Sequence, residues 1–292
     1  MQESLIMRIA SLLDKLPLEC MNYSFMQLAL LAILLIAPLT AAAGVQVVNF
    51  RMAFFADAIG HSAFAGAALG TLFAAFIAPA WTVPLLALLI GLGVMWLKRS
   101  SNLASDTVIG VFFALVVSGG LLLLSVEPEL ATASQMFLFG DILMITANDI
   151  VTLFILLILY SVFITLGFNK LLSIAVDEEL SRAHRTPTAF YNYLHIAILS
   201  LIVICCVRIF GVLLVSSLLI VPAATARNLT NSAGRMFFIA IICGVISGIS
   251  GLLISVQDWA NTSAGATIVM IGCIFFILTL PIKYFFKNRR LL

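Results

Sequence analysis

Apolar runs, each close to the length of a bilayer crossing, alternate with short polar segments along almost the whole chain. A helix needs about 20 apolar residues to cross the hydrocarbon. Runs of that size lie at about 25–48, 57–78, 79–97, 107–126, 149–172, 235–255 and 264–286. The stretch 190–226 is too long for one crossing, and Arg208 and Gly211 divide it, so it is expected to cross twice. The pattern predicts an all-α, polytopic transmembrane helical bundle of eight or nine spans. Residues 1–20 break that pattern. Glu3, Arg8, Asp14 and Lys15 are interleaved with Leu5, Ile9, Leu12, Leu13 and Leu16 at helical spacing. That is an amphipathic segment expected to lie at the membrane interface, without the apolar core of a cleavable signal. Residues 21–292 hold no Pro-, Gly- or Ser-rich linker and read as a single transmembrane domain.

Composition strengthens this picture. The chain is 63% hydrophobic and 10% charged, against about 25% charged in soluble domains. The lipid bilayer is therefore its solvent. A net charge of +2 leaves no footprint for nucleic acid. The basic residues report orientation instead. Lys98 and Arg99, the segment 170–185, the segment 227–235, and Lys283, Lys287, Arg289 and Arg290 read as cytoplasmic. The segment 127–149 carries Glu127, Glu129, Asp141 and Asp149 with no Lys or Arg, and reads as external. Asp258, alone in the 256–263 turn, agrees. Nine spans then place the N-terminus outside. Five cysteines occur with no C-x-x-C spacing, so neither a disulfide framework nor a structural zinc site is indicated.

Against this apolar background, Asp57 and His61 stand out. Spacing of i and i+4 puts both on one helix face. An ionisable group at a helix centre in hydrocarbon costs at least ~2.5–3.5 kcal/mol, so such groups face a protein interior or an aqueous path. An oxygen and a nitrogen donor on one path suit a passing divalent cation such as zinc or manganese. Ser62, Gly66 and Gly70 share a neighbouring face at the small-xxx-small spacing that lets helices approach closely. If two copies pair about a twofold axis, they offer two carboxylates and two imidazoles around a shared route. The plainer alternative is a capping Asp57 and a His61 with one buried hydrogen bond.

Two further segments are unusual. The polar run from Asp177 to Pro187 places acidic residues before basic ones, which predicts a short helix with charges complementing its dipole. Lying outside the membrane between two spans, it is a natural docking surface for a soluble partner, or else a solvated connector. From Gly211 to Arg227 an apolar run contains Pro222, which cannot donate a backbone bond and is expected to kink or locally open its helix. His184 reads as exposed or partner-facing. His195, near the cytoplasmic interface, reads as a packing residue.

Together these segments resemble the permease subunit of metal-ion ABC transporters of the zinc- and manganese-importing type. The resemblance rests on Ala56-Asp57-Ala58-Ile59-Gly60-His61 followed by Gly66 and Gly70, and on Asp106-Thr107-Val108-Ile109-Gly110. Leu138-Phe139-Gly140-Asp141-Ile142-Leu143 and, most specifically, the whole of 211–227 complete it. It covers about residues 20 to 285, with the motifs in the family's order. The resemblance implies a type II ABC importer fold and a multi-pass place in the bacterial cytoplasmic (inner) membrane. It implies a second permease copy or paralogue, two cytoplasmic ATP-binding subunits and an extracytoplasmic metal-binding protein as partners. The cargo it implies is a divalent metal ion (zinc, manganese or ferrous iron), with no permanently bound cofactor. Asp57 and His61 would then line the translocation path. The segment 173–188 would be the coupling segment on the ATPase, with Asp177, Glu178, Ser181 and Arg185 as its characteristic positions. There the family tends to have Ala at 181 and Gly at 185, so this chain departs at both.

The chain lacks the G-x-x-x-x-G-K-[ST] phosphate loop, so it is expected to be no enzyme itself, with ATP hydrolysed on other chains. A gradient-driven secondary transporter is the rival reading. Such proteins bury several acidic groups at mid-membrane, whereas the spans here are almost free of charge. A scaffold without transport would give no reason for paired metal-type donors within a span.

Overall fold

The computed structural model describes residues 22–72, 79–101, 103–126, 140, 142–257, 260 and 262–288. Ten α-helices account for nearly all of them, and no strand occurs among the described residues. In chain order they are α1 (Ser24–Asn49), α2 (Phe55–Leu72), α3 (Pro79–Ser100), α4 (Ser105–Val126), α5 (Ala147–Val176), α6 (Glu178–Ala183), α7 (Thr188–Phe210), α8 (Val212–Leu229), α9 (Ala233–Ser255) and α10 (Ala264–Asn288). A short 3₁₀ turn, Ile142–Met144, precedes α5.

Eight of these helices are long and apolar enough to cross a membrane. The short α6 is not, and neither is the described part of α2, whose hydropathy Asp57, His61 and Ser62 lower. The apolar runs read from the sequence therefore coincide with helices to within a few residues. The 190–226 stretch divides into α7 and α8 at Gly211, whose φ of 80° closes the first helix and starts the second. Arg208 does not break the chain. It sits in the last turn of α7, where a cation complements the helix dipole. The expected interfacial helix at 1–20 lies outside the described residues, as do Glu127, Glu129, Asp141 and Asp258.

Contacts gather into two compact units, and α1, α5 and α8 contribute to both. One unit comprises the described parts of Met1–Val45, Asp141–Leu159 and Ser217–Leu292. Its helices meet through small residues. At Gly44 a Cβ would overlap the carbonyl of Leu219, so the backbones of α1 and α8 touch there. A Cβ on Gly251 would come within 2.5 Å of the Ile268 Cα, which brings α9 against α10 in the same way. Pro222 lies inside α8, with its ring 3.6 Å from where a Cβ on Gly244 would stand. Close approach through small side chains is the general packing solution where lipid removes the hydrophobic drive between helices.

The other unit comprises the described parts of Gln46–Gly140 and Tyr160–Ser216. Here α2 packs on α3, α4 and α7, and α3 packs on α7. Gly66 faces the backbone of Val83, with a Cβ there falling 2.9 Å from the Val83 Cα. Gly70 is buried one turn further along the same face. Gly60 meets the Val212 side chain at the start of α8. Two of the three α2 glycines are thus places where a neighbour presses directly on the helix, and this fixes how α2 presents its polar side chains.

Candidate functional site

Asp57 occupies the first turn of α2, where its negative charge is favoured by the unpaired N–H groups of the helix end. One turn later, His61 Nδ1 lies 3.1 Å from the backbone carbonyl oxygen of Asp57. A carbonyl can only accept, so Nδ1 carries the proton, which leaves Nε2 as the nitrogen able to meet a metal. This is how a ring nitrogen is commonly prepared for a metal. The Phe113 ring from α4 meets the imidazole in an edge-to-face contact with centroids 5.1 Å apart, holding its orientation.

The Asp57 carboxyl has a second polar neighbour. The hydroxyl of Ser216, in the second turn of α8, stands beside it. That hydroxyl donates to the Val212 carbonyl at 2.9 Å. In the sequence Ser216 is one position of the 211–227 motif with no role of its own, although a small polar side chain one turn beyond Gly211 in an apolar run is a signal.

Exposure divides α2 into two sides. Ala58, Ile59, Gly60 and Ser62 are buried, and the Ser62 hydroxyl is turned back to the Ile59 carbonyl at 2.5 Å. Asp57 and His61 are only half-buried. The face bearing the two donors is therefore the open one. Among the described residues of one chain, no group of three or more His, Cys, Asp and Glu comes together. One chain offers two strong donors, fewer than the four that a resident zinc takes.

The 177–187 segment folds as its charge order suggests. Asp177 is the N-cap of α6 and its carboxylate accepts from the Leu180 N–H at 2.9 Å. Glu178 accepts from Arg182 at 2.6 Å and also faces Arg99, the basic end of α3, at 3.7 Å. Ser181 is buried, with its hydroxyl 2.8 Å from both the Asp177 carbonyl and the Ser173 hydroxyl of α5. Arg182 also donates from Nε to the Thr188 hydroxyl at 3.2 Å. A serine, not an alanine, at position 181 thus ties α6 to α5 by a hydrogen bond.

Arg185 has a φ of 58°. Its N–H reaches the Arg182 carbonyl at 2.9 Å, and the Thr186 N–H reaches the Ser181 carbonyl at 3.1 Å. These two bonds are the Schellman arrangement, whose left-handed position favours glycine. The backbone here is one that glycine adopts freely, and an arginine carries the strain. Arg185, Arg182, Leu180 and Glu179 are exposed, so α6 presents a mixed charged and apolar face to solvent.

Comparison with known proteins agrees with this arrangement along almost the full length. The model of the ABC 3 transport family matches residues 22–283. The chain is 30% identical over 263 residues to the high-affinity zinc uptake system membrane protein ZnuB of Haemophilus influenzae, covering 90% of this chain and 97% of that protein. It is 29% identical over 279 residues to the manganese transport system membrane protein MntC of Halalkalibacterium halodurans, covering 93% and 90% respectively. Among solved structures, PsaBC from Streptococcus pneumoniae in complex with Fab matches with a TM-score of 0.77 at 27% identity, over 96% of this chain and 99% of the matched one. With its apolar helices in this order and a family match over nearly all of them, the chain belongs to the ABC 3 transport family, as one of its membrane-spanning permeases.

Proposed function

We propose that this chain is the membrane subunit of an ATP-driven importer of divalent transition-metal ions in a bacterial cytoplasmic membrane. The observation that carries this reading is the half-buried pair of Asp57 and His61 on one face of α2, flanked by Ser216 and Phe113. The similarity to zinc and manganese transport proteins supports it. Zinc, manganese and ferrous iron all accept this carboxylate and imidazole pair.

Asp57 and His61 act as transient ligands of the moving ion. A second permease copy or paralogue completes the ion's coordination from across the subunit seam, since one chain brings only two strong donors. Residues 21–292 act as a single permease domain, and the N-terminal segment rests on the membrane surface. The exposed face of α6, with Asp177, Glu178, Ser181 and Arg185 setting its shape, docks on one of two cytoplasmic ATP-binding subunits. An extracytoplasmic metal-binding protein delivers the ion.

Metal-specific growth rescue in a strain lacking its own importers tests the reading. Rescue is expected only when the chain is produced with its ATP-binding partner, and is expected to vanish when that partner's phosphate-loop lysine is replaced. Rescue that persists without ATP hydrolysis but disappears with a proton or sodium ionophore would establish a gradient-driven transporter instead.

A further inference from the structure

We propose that Gln46, Asn192 and His195 line the water-filled route of the divalent cation in a second conformation of the transporter, and are sealed from it in the present one. This inference rests on the transport function proposed above.

The three side chains are 0%, 2% and 1% exposed. None of their six nitrogen and oxygen atoms has a hydrogen-bond partner among the described residues. Buried polar groups are almost always paired, so three unpaired side chains in one unit require an explanation. They also lie on a connected track. The imidazole of His195 stacks with Phe50 at a centroid distance of 5.2 Å and with Phe163 at 6.2 Å. Neither ring offers its nitrogens a hydrogen-bond partner. Asn192 stands one turn before His195 on the same side of α7. Gln46 stands one turn before Phe50, whose N–H its backbone carbonyl receives at 2.8 Å.

Leucine or phenylalanine at these positions would fill the same space with no unpaired atoms, so the polar choice destabilises this packing. Polar groups that weaken one state of a protein persist when another state uses them. In a transporter that alternates between conformations, the other state is one in which water and the hydrated ion reach these groups. Their chemistry fits that task. Amide oxygens and a neutral imidazole accept hydrogen bonds from the water shell of a divalent cation, and bind the cation itself only weakly. Among the described residues, Lys98, whose Nζ lies 5.8 Å from the Phe50 ring centre, brings a charge beside this track. Its positive charge disfavours retention of a cation, as a release route needs.

The test is the accessibility of Gln46→Cys and Asn192→Cys, each in a chain with the five native cysteines replaced. The chain is assembled with its ATP-binding partners and treated with a membrane-impermeant, negatively charged methanethiosulfonate. Labelling about tenfold faster during ATP turnover than at rest is expected, as for a sealed state that opens in the cycle. Equal labelling rates at rest and during turnover would overturn the proposal. His195→Phe and Asn192→Leu supply an independent reading. Each is expected to raise Tm while lowering uptake, whereas a lowered Tm would mark a merely structural residue and also overturn it. The labelling test reads solvent access, so it stands apart from wild-type metal uptake, whose absence would instead defeat the proposed transport function.

Discussion

The Nδ1 of His61 donates to the backbone carbonyl oxygen of Asp57 across 3.1 Å. One short bond within a single helical turn thereby fixes which imidazole nitrogen can meet a metal, and it does so beside the carboxylate of the same residue. Helix geometry alone brings the two side chains to one face. The bond adds the tautomer, and Phe113 adds the ring orientation.

Graded losses are expected around this pair. Asp57→Asn keeps the shape and the contact with Ser216 but removes the charge, and should lower the initial rate of radiometal uptake about tenfold or more, some 1.4 kcal/mol. Ser216→Ala removes the hydroxyl beside the carboxyl, together with its bond to the Val212 carbonyl. It should lower uptake by a few-fold, in keeping with about 1 kcal/mol for such a bond.

Glycine spacing on α2 gives a second expectation. A Cβ at Gly66 would lie 2.9 Å from the Val83 Cα, which is backbone and cannot swing aside, while Gly119 on α4 has nothing within 4 Å. Gly66→Ala should destabilise by about 1–3 kcal/mol, as overpacking generally does. Gly119→Ala should be neutral or slightly stabilising by helix propensity. Thermal unfolding of the two purified variants compares them directly.

In the α6 segment two substitutions should act in opposite directions. Asp177→Ala removes the cap and should cost about 1 kcal/mol of local stability. Arg185→Gly relieves the left-handed backbone at φ 58° and should gain up to about 1 kcal/mol, the penalty for a side chain in that region being about 1–2 kcal/mol. Amide hydrogen exchange across residues 178–186 should show faster exchange for the first and slower for the second.

Glu178 joins α6 to the end of α3 through Arg99 at 3.7 Å, and both side chains are partly exposed. Such a pair is worth about 0.2–1 kcal/mol, so Glu178→Gln should barely change Tm. The pair also positions α6 relative to the helix that packs on α2. Arg99→Glu should therefore lower the ion transported per ATP, and the double exchange Arg99→Glu with Glu178→Arg should restore it. Failure of the exchange to restore coupling would remove this role.

Much of this was legible from the chain alone. Apolar run length located the spans because in lipid every backbone group must be satisfied within its own helix. Charge order located α6, while its cap at Asp177 emerged only with the fold. What the sequence concealed depends on residues far apart in the chain. Ser216 approaches Asp57 only because Val212 seats against Gly60. Gly140 presses on the Phe210–Gly211 backbone across a separation that no local pattern reveals. The left-handed conformation at Arg185 was hidden because the residue there is not glycine. Gln46 and Asn192 were overlooked as single polar residues in long apolar runs, and His195 was read as packing. It does stack with two rings, but both of its nitrogens are left unpaired.

Transport chemistry at α2 is tested most directly by replacing Asp57 and His61 together with alanine and measuring ATP-dependent radiometal uptake in vesicles that contain the assembled complex. Assembly and membrane insertion at wild-type levels with uptake reduced to the background of an ATP-free control is the result this account predicts. Uptake at the wild-type rate by the fully assembled double variant would contradict it.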